Sequence, residues 1–439
     1  MSGPTVLRRN LSLWDLVFMG IIMIQPTAPM PLFGVVSNAA RGHVVTTILI
    51  AMVAMLFTAI SYGRMARAYP SAGSAYTYVG QEVHPALGYL AGWGMLMDYV
   101  LNPLICTIWC SKAAMNVVPM VPEEAWKIFF ALLFTFLNIR KIEASARTNQ
   151  LLAGVMGIVV IWMLGASVNF VMVHPGTDFL KPFYDPSTFQ WKSVSSGTAL
   201  AVLTYIGFDG ISTLSEEVRD PRKNILRATV IVCLVIGVLS ALEVYAAQLV
   251  WPYGQTFPDV DTAYVHVAGR AGGAMLFQVI NLTLLIATIG SGAGAQMAGG
   301  RLLFGMGRDG VLPRSIFGVI DEQTGVPRNA VLTIGSIALV GAFLLTYETG
   351  AELLNFGAFI GFMGVNLAAF LRYWVRAQQR NLSHLLVPLF GFLICGYMWI
   401  SLSQSALRAG AFWAAVGLVF GVWRTNWFRS TIRFEAPRE

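Results

Sequence analysis

Two aspartates stand inside apolar sequence, Asp98 in "GMLMDYVLNP" and Asp209 in "TYIGFDGISTLSEE". A carboxylate taken out of water is costly unless it faces a cavity or a partner. Each is therefore read as a partner for an ammonium group, and Asp209 also as an acceptor for a coupling proton. The structural alternatives are a cap on interrupted backbone for Asp209 and a helix–helix hydrogen bond for Asp98. Glu243 is a third such carboxylate, with snorkelling or packing pairing as its competing reading. Glu216 and Glu217 lie beside the arginines of 219–227 and read as gate or structural ion pairs.

The second candidate group is polar backbone. "MIQPTAPMPLFG" (Met23–Gly34) puts Pro26, Pro29 and Pro31 in the middle of the first long apolar segment. Each proline removes an N–H and clashes with the preceding turn, so a straight helix is excluded. Halfway down the chain, Gly207, Asp209 and Gly210 interrupt the sixth apolar segment in the same way. Unwound backbone at membrane depth is tolerated where it lines a cavity. A polar solute can then bind Gln25, Pro26, Thr27 and Ala28 on one side and Ile206, Gly207, Phe208, Asp209 and Gly210 on the other. Phe208 and Tyr205 are either ligand-covering rings or ordinary packing. Ser291 is a candidate sodium ligand between the first and eighth segments.

The elements that must position these residues follow from composition. Of 439 residues, 56% are hydrophobic and 12% charged, against about 25% charged in a soluble domain. The apolar stretches repeatedly approach the roughly 20 residues that span a bilayer. Twelve spans are expected: 14–37, 43–63, 85–116, 125–140, 150–173, 195–215, 226–251, 273–306, 329–347, 352–375, 385–403 and 407–423. The first is retained as a membrane helix, because it is too long and too proline-broken for a cleavable signal. With both termini in the cytoplasm, all of the 29 lysines and arginines except Arg41, Lys112, Lys127, Lys181, Lys192, Arg270 and Arg408 fall on the inner side. That bias supports the orientation, with 174–194 and 252–272 outside. The net charge of +7 thus reads as topology, and the dispersed basic residues argue against a nucleic-acid partner.

Other chemistries are weaker. Cys106 and Cys110 lie one turn apart without a histidine beside them, which favours small buried residues over a metal site. "GSGAGAQMAGG" (Gly290–Gly300) lacks the strand a dinucleotide loop requires and reads as close helix packing. No His–acid or Cys–His pairing in the spans suggests an enzyme, and no cofactor is expected.

Paired breaks in two five-helix halves mark an inverted-repeat secondary transporter. At these residues the chain also resembles a family. "YIGFDGISTLSEEVRDPRKNILRA" (Tyr205–Ala228), "YPSAGSAYTYVG" (Tyr69–Gly80), "GRLLFGMGRDGVLPR" (Gly300–Arg314) and "NFGAFIGFMGVNL" (Asn355–Leu367) resemble signatures of the amino acid–polyamine–organocation transporters. "MGIIMIQP", "MDYVLNP" and "GFDGISTLSEE" point to the bacterial putrescine-importer branch. One departure is Pro31, where the importers it resembles carry an acidic residue.

The resemblance implies an all-α polytopic membrane protein of LeuT type. In it, 14–173 and 195–375 form the inverted repeats, 376–423 two peripheral helices, and 1–13 and 424–439 cytoplasmic segments. It implies a bacterial cytoplasmic-membrane protein, surrounded by lipid, that moves an amino acid or small amine by alternating access, coupled to H+, Na+ or a counter-substrate. The solute would bind between spans 1, 3, 6 and 8. The residue reading leans toward an amino acid or a single-amine solute, with a putrescine or polyamine importer as the alternative and a nutrient sensor on a transporter fold as the rival of another class. Oligomeric state is left open.

Overall fold

The computed structural model describes residues 11–69, 74–140, 146–214, 218–308, 312–377 and 381–424. Arg8, Arg9, Glu216, Glu217, 425–439 and parts of the motifs at 69–80, 205–228 and 300–314 lie outside the described residues. Those described are helical almost throughout: α1 Leu13–Ile24, α2 Phe33–Ala39, α3 Val44–Ala68, α4 Ser74–Glu82, α5 Pro85–Met115, α6 Glu123–Ile139, α7 Ala146–Val173 and α8 Trp191–Ala201. There follow α9 Gly210–Thr213, α10 Pro221–Val250, α11 Ala263–Arg308, α12 Arg314–Phe317, α13 Arg328–Leu344, α14 Tyr347–Phe370, α15 Leu382–Ile400 and α16 Gln404–Arg424. Among the described residues eight helices are long and apolar enough to cross a membrane, and α1 and α13 are shorter apolar helices. The 31-residue α5 and the 17-residue α6 pack among them.

Local sequence explains the boundaries that matter. Ser12 and Asp15 cap the start of α1 reciprocally: the Asp15 N–H donates to the Ser12 hydroxyl at 3.3 Å, and the Ser12 N–H to Asp15 at 2.9 Å. At the other end, Pro26, Pro29 and Pro31 stop the ladder, and the chain becomes helical again only at Phe33. The sixth span likewise breaks: α8 tightens into a 3-10 turn over Val202–Tyr205 before unwinding. α11 bends at Gly272 and Gly273, so its first turns form a separate segment within the connection expected over 252–272.

Small residues let helices meet backbone to backbone, as membrane packing demands. α5 and α14 cross where a Cβ on Gly357 would stand 2.2 Å from the Gly94 carbonyl oxygen. The glycine run of α11 serves the same end. Gly292 abuts Cys106 and Phe134, and Gln296 donates to Thr135 at 2.9 Å and to the Val331 carbonyl at 3.1 Å. The end of the bundle that carries Arg64, Arg67, Arg372 and Arg376 is called the basic end below.

Candidate functional site

The break between α1 and α2 is poor in hydrogen-bond donors. From Gln25 to Leu32 three positions are proline, which has no N–H. Four of the other five donate already: Gln25 to Ile21, Ala28 to Gln25, Met30 to Thr27 and Leu32 to Pro29. Only the Thr27 N–H has no backbone acceptor among the described residues, whereas the carbonyls of Pro26 and Ala28 accept nothing there. Pro26 and Thr27 are buried and Ala28 half-buried. The Gln25 side chain reaches across to donate to the Ala287 carbonyl of α11 at 3.2 Å.

The break after α8 faces it. Gly207 adopts φ 119°, a conformation open to glycine, and a Cβ there would stand 3.2 Å from Ile24 at the end of α1. The two interruptions are therefore in contact. The Asp209 carboxylate folds back on its own break, taking the Gly207 N–H at 3.2 Å and lying beside the N–H groups of Asp209 and Gly210. The N–H groups of Ile206, Phe208 and Gly210 close local turns, and the Ile206 carbonyl accepts no backbone N–H.

Asp98 of α5 completes the arrangement. It lies deep in the helix packing, within range of the Asp209 charge, and is half-buried. No hydrogen bond or ion pair holds its carboxylate among the described residues, and the nearest charge is of its own sign. The site thus offers two carboxylates and three spare carbonyls against one spare backbone N–H. Such a set is rich in acceptors and poor in donors.

The remaining candidates sit around this core. Phe208 is fully buried, edge-on to Tyr62 of α3 at 5.5 Å and beside Phe362 of α14 at 5.4 Å, an arrangement that packs the break. Tyr205 donates from its hydroxyl to the Ile48 carbonyl at 2.8 Å and anchors the break to α3. Ser291 lies on α11 next to Gly292, which abuts Cys106 of α5, and the Cys106 thiol donates to Asn102 Oδ1 at 3.3 Å. Among the described residues no group of three His, Cys, Asp or Glu side chains is disposed to hold a metal ion.

Two clusters that the sequence did not announce tie the ends. At the end opposite the basic one, Lys112 of α5 pairs with Asp259 at 3.1 Å and Asp261 at 2.7 Å, and the Trp109 indole donates to the Asp261 carbonyl at 2.7 Å. Burial pushes both acids up. The Lys112 charge and the Thr262 N–H outweigh it at Asp259, whose pKa falls; Asp261 is more deeply buried and stays raised. This connection sits on α2: a Cβ on Gly34 would stand 2.0 Å from the Val260 carbonyl oxygen. At the basic end, Glu82 is 2% exposed and accepts from Tyr69 at 2.7 Å and from Arg372 and Arg376. Burial acts to raise its pKa, but these three donors hold it below the usual glutamate range. There too, the Arg219 N–H donates to the Leu11 carbonyl at 2.9 Å, linking the lead into α1 with the lead into α10. A cavity of about 360 Å³ lies away from the breaks, lined by residues such as Arg41, His174 and Arg270.

Comparison with known proteins comes after this geometry. Residues 16–428 match the family model described as amino acid permease. The chain is 33% identical over 440 residues to the low-affinity putrescine importer PlaP of Escherichia coli (strain K12), covering 97% of this chain and 96% of that one. It is 23% identical over 445 residues to the branched-chain amino acid permease BcaP of Bacillus subtilis (strain 168), covering 95% and 93%. It is 26% identical over 457 residues to the methylthioribose transporter of the same strain, covering 95% and 93%.

Proposed function

The chain belongs to the amino acid permease family of the amino acid–polyamine–organocation superfamily, and from that premise we propose that it carries a small organic amine across the membrane, with a putrescine-like diamine as the favoured substrate. It is a permease rather than an enzyme. The observation that carries the substrate reading is the donor deficit at the two breaks. A carboxylate needs N–H groups at a helix end, and nearly all of them here are absent or already engaged. An ammonium group needs acceptors, which Asp98, Asp209 and the carbonyls of Pro26, Ala28 and Ile206 supply.

This weighting reverses the lean of the sequence reading toward an amino acid. Sequence shows which residues are prolines, but not that the surviving N–H groups are spent on local turns. Similarity to a putrescine importer points the same way. Pro31 keeps its place as a departure, and Asp98 with Asp209 provides the two anionic positions that a diamine uses. A neutral amino acid remains the second reading, favoured by the Thr27 N–H and by similarity to the branched-chain permease.

Transport follows from the arrangement of the spans. In the five-plus-five inverted repeat with two peripheral helices, α1 with α2 and α8 with α9 are the broken helices, and rocking of their bundle exposes the site alternately to either side. The basic end faces the cytoplasm, as does each terminus, because positive charge collects there. Asp209 and Ser291 remain the candidates for proton and sodium coupling.

A thermal-shift screen of the purified protein across amino acids, monoamines and polyamines tests the substrate, since stabilisation grows with concentration over affinity. Counterflow of labelled putrescine in proteoliposomes tests transport. Binding without counterflow would make the chain a sensor on a transporter fold.

A further inference from the structure

Glu243 is the membrane-depth carboxylate that the amine site leaves unused. It lies on α10, about 10 Å along the helix from Val250 at 1.5 Å per residue. Its side chain is 0% exposed, and neither carboxylate oxygen has a hydrogen-bond partner among the described residues. Ser240, one turn earlier on the same face, is also buried with an unpartnered hydroxyl.

The neighbouring elements leave the carboxyl without a counter-charge. On α11, Tyr264 has its hydroxyl 3.4 Å from the Glu243 backbone carbonyl. His266 there packs on Phe277, and Arg270 lies over Trp251 and Phe170. Tyr62, Arg64 and Arg67 of α3 and Asp15 of α1 lie toward the basic end, and His43 at the start of α3 has both ring nitrogens engaged, by the Ala40 carbonyl and the Asp185 N–H. Tyr205 is committed to Ile48, and Cys233 is three turns away on α10 itself. An ionised carboxylate in this setting has neither water nor a partner to offset its desolvation, so Glu243 carries its proton in this conformation.

The same Tyr264 that reaches Glu243 belongs to the seal over α2. Tyr264 meets Phe33 edge-on at 5.7 Å, and a Cβ on Gly34 would stand 2.6 Å from the Ala263 side chain. The segment that covers Glu243 is thus the one seated on the outer half of the first broken helix. We infer that Glu243 is a proton-binding site linked to this seal: protonated while the 252–272 connection rests on α2, and giving its proton to water when the connection lifts. The step is a simple dissociation, carboxylic acid to carboxylate plus a proton. It rests on the alternating-access reading, since only a protein that opens this end lets water reach the group.

The test needs no substrate, so its failure leaves the amine reading standing. Ala263, 1% exposed against Gly34, is replaced by cysteine. The native Cys106, Cys110, Cys233 and Cys395 are all buried, and the chain without the substitution serves as the labelling blank. The rate of reaction with a membrane-impermeant maleimide is measured from pH 5.5 to 8.5, with Glu243 present and with Glu243→Gln. Dividing the two rates at each pH removes the ionisation of the thiol itself. The ratio should be near one at low pH and rise at least about fivefold by the upper limit, with Glu243→Met giving the same denominator should the Gln variant fold poorly. A ratio that does not change with pH overturns the assignment.

Discussion

The N–H of Gly207 donates to Oδ1 of Asp209 at 3.2 Å, so the carboxylate lies back over the break in its own helix. Asp98, by contrast, is half-buried and has no hydrogen bond or ion pair on its carboxylate among the described residues. The two acids are therefore expected to respond differently to loss of charge and to loss of the side chain.

Asp98→Asn should leave the melting temperature nearly unchanged and weaken amine binding at least tenfold, as expected for a charged hydrogen bond of about 1.5–3 kcal/mol. Asp209→Asn keeps an acceptor for Gly207 and should also fold, with transport greatly reduced. Asp209→Ala removes the cap and should cost about 1 kcal/mol of stability in addition. Binding and thermal unfolding on the three purified variants check this. Normal affinity and transport across pH in Asp209→Asn would reduce Asp209 to a structural cap.

Glu82 predicts a pH dependence at the basic end. Its folded-state pKa is depressed, so its contribution is fully present above the ordinary glutamate value of about 4.3 and is lost as pH falls through the lower folded value. Glu82→Gln should cost about 1–3 kcal/mol at neutral pH. The gap in melting temperature from wild type should stay constant from pH 8 to about 5 and close below about 4. A gap that persists unchanged to pH 3 would contradict the ion-pair account.

Gly34 tests the seal at the other end. Its Cβ would meet backbone, the Val260 carbonyl oxygen at 2.0 Å, which cannot rotate aside as a side-chain tip can. Gly34→Ala should cost about 1–3 kcal/mol and speed maleimide labelling of a cysteine at Ala263. Unchanged melting and labelling would mean that the connection is not held against α2 in the membrane.

These residues also mark how far sequence alone reached. The two breaks were legible because proline and glycine act through the local backbone: Pro26, Pro29 and Pro31 forbid the ladder whatever surrounds them. Asp98 and Asp209 were legible because a carboxylate in an apolar run is rare and costly. Partner choice was not legible. Nothing local in "QEVHP" says that Glu82 is met by arginines 290 and 294 residues away. The donor deficit was also hidden, because it depends on which N–H groups the turns consume.

Orientation has its own test. A cysteine at Arg376, which is exposed beside Glu82 at the basic end, should be labelled only after the membrane is permeabilised. Selective labelling from outside would invert the topology.

The central claim is that two carboxylates and donor-poor breaks hold a diamine at both ends, and competition binding reads it most directly. Purified protein loaded with labelled putrescine is challenged with unlabelled putrescine, n-butylamine, leucine and 1,4-butanediol. Putrescine should compete best, n-butylamine at least about tenfold less well for want of its second charge-assisted hydrogen bond, and leucine and the diol scarcely at all. Failure of putrescine to bind, with tight binding of leucine, would contradict the account and return the site to an amino acid.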